Sequence, residues 1–295
     1  VQTVDDMASK LQGTGAIRHI DGDTLVSEAT YEASLMAVGG NFATIDSIMQ
    51  GEVDRGFVLC RPPGHHANNR KASGFCVFNN VALDVDYLLN EKGMDKVAIV
   101  DFDVHAGNGT EAIFQKGAKG GEVLVFSLHQ HPYTLYPGTC FIGDVGIEEQ
   151  EGKICNLTMF PSSGADDVKM GFNEVVLPML NEFKPQFVLI SAGFDAHYSD
   201  PLAGLQYDYN LYHWMTEQLG NVADQYAEGR MLATLEGGYN LDAISKSITN
   251  VVASMRGEKP VYEEDPKGNK KAFRQTKEKL IPKLKDTFES YWDCF

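Results

Sequence analysis

With 295 residues, 43% of them hydrophobic and 22% charged, the chain has enough apolar material for a large core and too much for a disordered segment. A net charge of −16 argues against direct nucleic-acid binding and leaves two readings open, attraction of cationic ligands or solubility alone. No apolar stretch approaches the roughly 18 residues of a membrane span, the opening VQTVDDMASK has no signal-peptide core, and five scattered cysteines without a CxxC pair suggest no disulfide framework and no thiolate zinc cage. A reducing, cytoplasmic setting without membrane contact is the simplest reading, and self-association is left open.

In chain order, a helix is expected over Tyr31–Met49, then a buried strand over Gly56–Cys60 that ends in RPPGHH. A helix over Asn80–Asn90 precedes a strand over Val97–Val100, which runs into DFDVHAGNG. Strands over Val123–Leu128 (then SLHQH) and, more weakly, Ile154–Met159 come next, then a helix over Asp166–Glu182. The strand Phe187–Ser191 ends in SAGFDAH, a helix follows over Tyr209–Glu228, and Met231–Leu235 ends in EGGYN before a helix over Leu241–Arg256. After Gly257 the composition turns charged, and a helical pattern resumes near Lys270, so 258–295 reads as a charged helical extension rather than a second domain. Short Val-, Ile-, Leu- and Phe-rich runs suit strands buried on both faces. Their alternation with helices predicts one α/β domain over 1–295, a mostly parallel sheet with helices on both faces.

Ligands in such sheets bind beyond the carboxyl ends of the strands, and here five strand ends carry His, Asp, Gly or Tyr. Asp101, Asp103 and His105 alternate on an extended segment and share a face. Alone, that pattern serves equally as a capped turn. With Asp195 from another strand end, two carboxylates and an imidazole provide three ligands and an open fourth position, the form of a catalytic zinc site. His65 and His66 follow a rigid Pro-Pro-Gly turn that aims both rings. Asp101 is placed to orient one ring and Asn108 the other. Tyr239, after two glycines, is either a hydrogen-bond donor to a bound carbonyl or an ordinary buried tyrosine. Gly74, Phe75 and Tyr136 either wall a narrow channel or belong to the core.

Taken together, RPPGHHA, GFCVFNN, DFDVHAGNGT, FSLH, YPGT, GFDAHYSDPLAG and LEGGYN resemble the zinc-dependent histone deacetylase family, which includes the acetylpolyamine amidohydrolases. The match runs from about Tyr31 to about Gly257, and Asn108, GFDA and LEGGYN are closer to the class II and prokaryotic branches. The resemblance implies an arginase–deacetylase α/β fold with one zinc on Asp103, His105 and Asp195. It implies His66 as general base and acid, with His65 as its electrostatic partner, Asp101 behind His65 and Asn108 behind His66. Tyr239 would polarise the acetyl carbonyl, and Gly74, Phe75 and Tyr136 would line the tunnel. Leu202, on the loop carrying Asp195, would stand at its mouth. A potassium ion is implied on Asp101, Asp103, His105, Ser127 and Leu128. The expected substrate is an acetylated lysine or another acetylated amine.

Three departures stand out. The segment that usually precedes this region, with a first strand and a rim loop, is missing, which suggests a truncated chain. Ala106 replaces a His common after the ligand His105. His197 stands where arginases carry a second carboxylate, which favours one metal over a binuclear manganese centre. The alternatives are a small acyl-amide hydrolase acting on acetylpolyamines, a ureohydrolase, and an inactive acyl-lysine binding module.

Overall fold

The computed structural model describes residues 2–265 and 267–295. A short antiparallel pair, β1 (Arg18–His19) and β2 (Leu25–Val26), precedes a six-stranded sheet. The sheet strands are β3 (Arg55–Val58), β4 (Lys96–Asp101), β5 (Glu122–Gln130), β6 (Ile154–Met159), β7 (Phe187–Ala192) and β8 (Met231–Leu235), and every pairing is parallel. Their spatial order is β3-β8-β7-β4-β5-β6. All six strands coincide with the expected runs to within three residues at each end.

Side chains alternate across a strand, so successive residues must enter opposite cores. Ala98 and Val100 of β4, Leu124 and Phe126 of β5 and Val188 and Ile190 of β7 face one cluster. Val97 and Ile99, Val123 and Val125, and Phe187 and Leu189 face the other. Both faces are therefore dry, and continuous apolar runs replace the alternation of a half-exposed strand.

Helices Thr30–Met49, Asn80–Asn90, Tyr209–Tyr226 and Leu241–Met255 match their expected spans to within two residues. The expected helix Asp166–Glu182 does not form as one piece. It is built as Ala165–Gly171, a wide π turn over Phe172–Val176, and Leu177–Phe183. Pro178 is the physical reason: it has no N–H to donate, and its ring would collide with the carbonyl four residues earlier. A wider turn accommodates both effects. The same device recurs over Thr276–Leu280, just before Pro282. The extension is also more than an appendage, because Leu280, Ile281, Leu284, Phe288 and Trp292 are buried in the larger core cluster. The helices Gln2–Leu11 and Asn108–Phe114, the short strands β1 and β2 and the turn Glu148–Gln150 had no counterpart in the sequence reading.

The strand order decides where chemistry can occur. From β4 the chain steps outward to β5 and β6, then returns to place β7 and β8 on the other side of β4. The topological switch point lies between β4 and β7, where an open α/β sheet leaves a crevice.

Candidate functional site

Asp103 and His105 follow β4, and Asp195 follows β7, so the switch point brings all three together. One ligand atom from each lies within 4.8 Å of the others. His105 Nδ1 stands 3.1 Å from both Asp103 Oδ1 and Asp195 Oδ2. The second carboxylate oxygens are engaged elsewhere: Gly237 N–H donates to Asp103 Oδ2 at 2.8 Å, and Val104 N–H donates to Asp195 Oδ1 at 2.9 Å. Burial works to lower the His105 imidazole, but its hydrogen bonds to Asp103 and Asp195 and their charge push it up to about 10. Two carboxylates and one imidazole converging in this way suit a divalent cation with an open position, and they suit zinc chemically. Gly237 permits the close approach, because a Cβ there would stand 2.3 Å from Asp195 Oδ2 and 2.6 Å from Asp103 Oδ2.

β3 lies at the sheet edge beside β8, and the turn after it delivers the histidine pair. The rings of His65 and His66 are 4.0 Å apart between centroids, and both are buried. His65 Nδ1 donates to Asp101 Oδ2 at 2.9 Å. Burial opposes the charge on His65, yet Asp101 and Asp103 raise its pKa well above the ordinary value. His66 moves the other way, lowered well below its ordinary value by burial and by the neighbouring His65. His66 Nδ1 meets Asn108 Oδ1 at 2.7 Å. An amide oxygen only accepts, so Nδ1 carries the proton and Nε2 is left with a free lone pair. The surroundings thus favour the charged form of His65 and the neutral form of His66.

A cavity of about 30 Å³ is lined by Pro63, His65, His66, Gly74, Phe75, Asp103, His105, Gly237 and Tyr239. Ser73 and Cys76 exchange backbone hydrogen bonds of 3.1 and 2.9 Å around Gly74 and Phe75, which both have positive φ (56° and 65°). A tight turn with positive φ at both centres favours glycine, asparagine or aspartate there. Here a Cβ on Gly74 would also come within 2.3 Å of the His66 ring. Tyr136 stands edge-on to His66 at 5.1 Å and to His105 at 6.4 Å, and Phe75 lies edge-on to Tyr239 at 6.1 Å. Burial and the charges of Asp103 and Asp195 raise the Tyr239 phenol, so it stays a donor. Leu202 is partly exposed on the loop that carries Asp195. Asp101 and Ser127 are register partners on β4 and β5, with Leu128 next along the chain. A cleft of about 930 Å³ between Val53–Phe57 and the helix ends near Glu228 and Arg256 lies at the opposite end of the strands, away from all of these groups.

Three acidic residues were not singled out by sequence reasoning. Glu236, fully buried, accepts the N–H groups of Gly64 (2.7 Å) and His65 (3.1 Å) and the Ser191 hydroxyl (3.2 Å), tying the histidine turn to β7 and β8. Its place in EGGYN was the available signal. Glu264 accepts from His197 Nε2 at 2.8 Å and from Tyr209 N–H at 3.0 Å. His197 is therefore turned toward the extension and is not among the clustered ligand atoms. Asp84, in the helix Asn80–Asn90, is fully buried with neither carboxyl oxygen hydrogen-bonded, and burial followed by the Glu236 charge raises its pKa well above the ordinary value.

A group with a raised folded pKa keeps its proton when the unfolded chain has lost it, so its contribution to stability falls as pH rises. Asp84→Asn is expected to gain stability relative to the parent as the pH rises from 5 to 8 in paired urea titrations. An unchanged difference at the two pH values would show that Asp84 is ionised in the fold.

Comparison with known proteins agrees with this geometry. A family model described as the histone deacetylase domain matches residues 1–255. The chain is 34% identical over 285 residues to a "Probable deacetylase" of Archaeoglobus fulgidus, covering 94% of this chain and 78% of that protein. It is 38% identical over 242 residues to "Histone deacetylase 14, chloroplastic" of Arabidopsis thaliana, covering 80% of this chain. The chain spans only 56% of that plant protein's length. The crystal structure of the HDA15 HD domain superposes with a TM-score of 0.86 at 36% identity, over 99% of this chain and 78% of that one. No helix among the described residues is long and apolar enough to cross a membrane. A parallel sheet whose switch point gathers two aspartates and a histidine beside a paired-histidine turn, together with these similarities, places the chain in the histone deacetylase family of deacetylases and amidohydrolases.

Proposed function

We propose that the chain hydrolyses the acetyl amide of N-acetyl-lysine in proteins or peptides, using one zinc ion on Asp103, His105 and Asp195. The observation that carries this reading is His66, its Nδ1 held by Asn108 and its Nε2 free, in the same narrow pocket as Asp103 and His105. Zinc, when bound, supplies Lewis-acid polarisation of the carbonyl and a more acidic water. His66 takes the proton of the attacking water and returns a proton to the leaving amine, help typically worth about 10²–10⁴-fold. The cationic His65, held by Asp101, balances charge beside it. The Tyr239 hydroxyl donates to the developing oxyanion. Gly74, Phe75 and Tyr136 flank the lysine stem. A potassium ion on Asp101, Asp103, His105, Ser127 and Leu128 would offset the buried carboxylates. Cys76 offers no rival nucleophile, because burial keeps its thiol protonated. A binuclear centre lacks a second carboxylate, since His197 is held by Glu264. Five unpaired cysteines suit a reducing compartment such as the cytoplasm.

An acetylpolyamine substrate is the second reading. It is favoured by Asp23 and Asp21, which lie close enough to Tyr136 to help raise its phenol after burial. Leu202 opposes it, because an apolar side chain cannot pair with a distant ammonium. Diffuse attraction is screened within about 8–10 Å at moderate salt, so local contacts should decide. Acetyl-lysine peptides are expected to show higher kcat/KM than acetylspermidine or acetylputrescine at near-physiological salt, with Leu202→Glu narrowing the gap. A preference of the parent enzyme for acetylpolyamines that persists at high salt would promote the second reading.

A further inference from the structure

Tyr239 sits in a turn with little stiffness of its own. It follows Gly237 and Gly238, and Gly238 adopts φ 129°, a region other residues rarely enter. Besides the Gly237 N–H bond to Asp103, the turn is tied to the loop after β7. Phe194 N–H donates to the Gly237 carbonyl at 2.9 Å, and Asn240 Nδ2 donates to the Ser199 carbonyl at 3.0 Å. Between these ties stands Asp200, 6% exposed. Its Oδ2 accepts the N–H groups of both Tyr239 (2.7 Å) and Asn240 (3.0 Å), and its Oδ1 accepts Leu202 N–H at 3.1 Å. The Asp200 N–H donates in turn to the His197 carbonyl at 2.8 Å.

We propose that Asp200 is a positioning residue for Tyr239. One carboxylate fixes the backbone of the tyrosine to the loop carrying Asp195 and so sets the phenol's place over the ligand cluster. Charge-assisted hydrogen bonds from two adjacent N–H groups are about twice as strong as neutral ones. Asparagine keeps neither the charge nor all three bonds, because its NH₂ group must face either these two N–H groups or that of Leu202. The inference rests on the role proposed above for Tyr239, and a misplacement of about 1 Å can cost about 10²-fold in rate.

A double-mutant cycle with Asp200→Asn and Tyr239→Phe tests it on zinc-loaded protein with an acetyl-lysine peptide, metal content and melting temperature being measured for each variant. Asp200→Asn is expected to lower kcat by about 10–10²-fold, with KM little changed and one zinc retained. In the Tyr239→Phe background the same change should cost less than about twofold, since independent sites add and a residue acting through the hydroxyl does not. An equal loss in both backgrounds overturns the proposal, as does an unchanged kcat in Asp200→Asn. Full activity in Tyr239→Phe alone would instead remove the tyrosine's catalytic role, a separate failure. If Asp200→Asn does not fold, Asp200→Glu, which keeps the charge but displaces it by one methylene, enters the same cycle. Failure of both variants to fold also overturns the proposal, because Asp200 would then serve the fold.

Discussion

Asp195→Asn is expected to abolish zinc binding and hydrolysis together while leaving the chain folded. Asparagine can still accept the Val104 N–H with its carbonyl oxygen, so the local hydrogen bond survives. It loses the negative oxygen that stands 3.1 Å from His105 Nδ1. Changing a group that merely supports a ligand costs about 10–100-fold in metal affinity, and losing one of three ligands should cost more. Removal of Lewis-acid help worth several kcal/mol lowers the rate by about 10³-fold or more. Elemental analysis, a peptide assay and thermal melting on the same preparation check the three parts. One zinc per chain with full activity would exclude Asp195 from the centre, and two metals per chain in the parent protein with manganese-dependent activity would favour the ureohydrolase chemistry.

Tyr239→Phe should leave fold and zinc content intact and lower kcat by about 10²–10³-fold, the usual loss for one oxyanion donor. The substitution removes a hydroxyl and no packing: the ring keeps its edge-on contact with Phe75. Its backbone N–H still donates to Asp200. The rise in the phenol's pKa keeps it protonated across the working range, so this loss should not vary with pH between about 6 and 9. Near-full activity at intact zinc occupancy would show that the hydroxyl does not touch the reacting carbonyl.

The pocket was legible in the sequence because its chemistry is concentrated at strand ends. DFDVHAGNG, GFDAH, RPPGHH and EGGYN each place polar or small residues directly after a dry apolar run, and that contrast marks the carboxyl edge of the sheet. Residues whose side chains lie at or beside the pocket, such as His66, Asn108, Asp195 and Tyr239, stand out for that reason. Glu236, Asp200 and Glu264 do not. Their partners are backbone N–H groups and a histidine far along the chain, 172 residues away for Gly64 and Glu236 and 67 for His197 and Glu264. An acid that caps a distant turn looks in sequence like any loop acid.

The sequence by itself determined the local elements and the set of chemical groups. Uninterrupted apolar runs such as Val97–Val100 and Phe187–Ile190 permit little but a strand covered on both faces. Proline and the glycine pairs likewise act through their own backbone, although the wide turns before Pro178 and Pro282 needed the packed helix to show how the missing donor is absorbed. Tertiary structure decided which strand neighbours which. Strands so uniformly apolar are nearly interchangeable, and the order β3-β8-β7-β4-β5-β6 depends on crossover connections and helix packing spread over the whole chain. That order carries Asp195 to Asp103 and His105, turns His197 toward Glu264, and leaves Asp84 buried without a partner. The first two are contacts between residues distant in the chain and the third is the lack of one, and a local pattern holds no record of them.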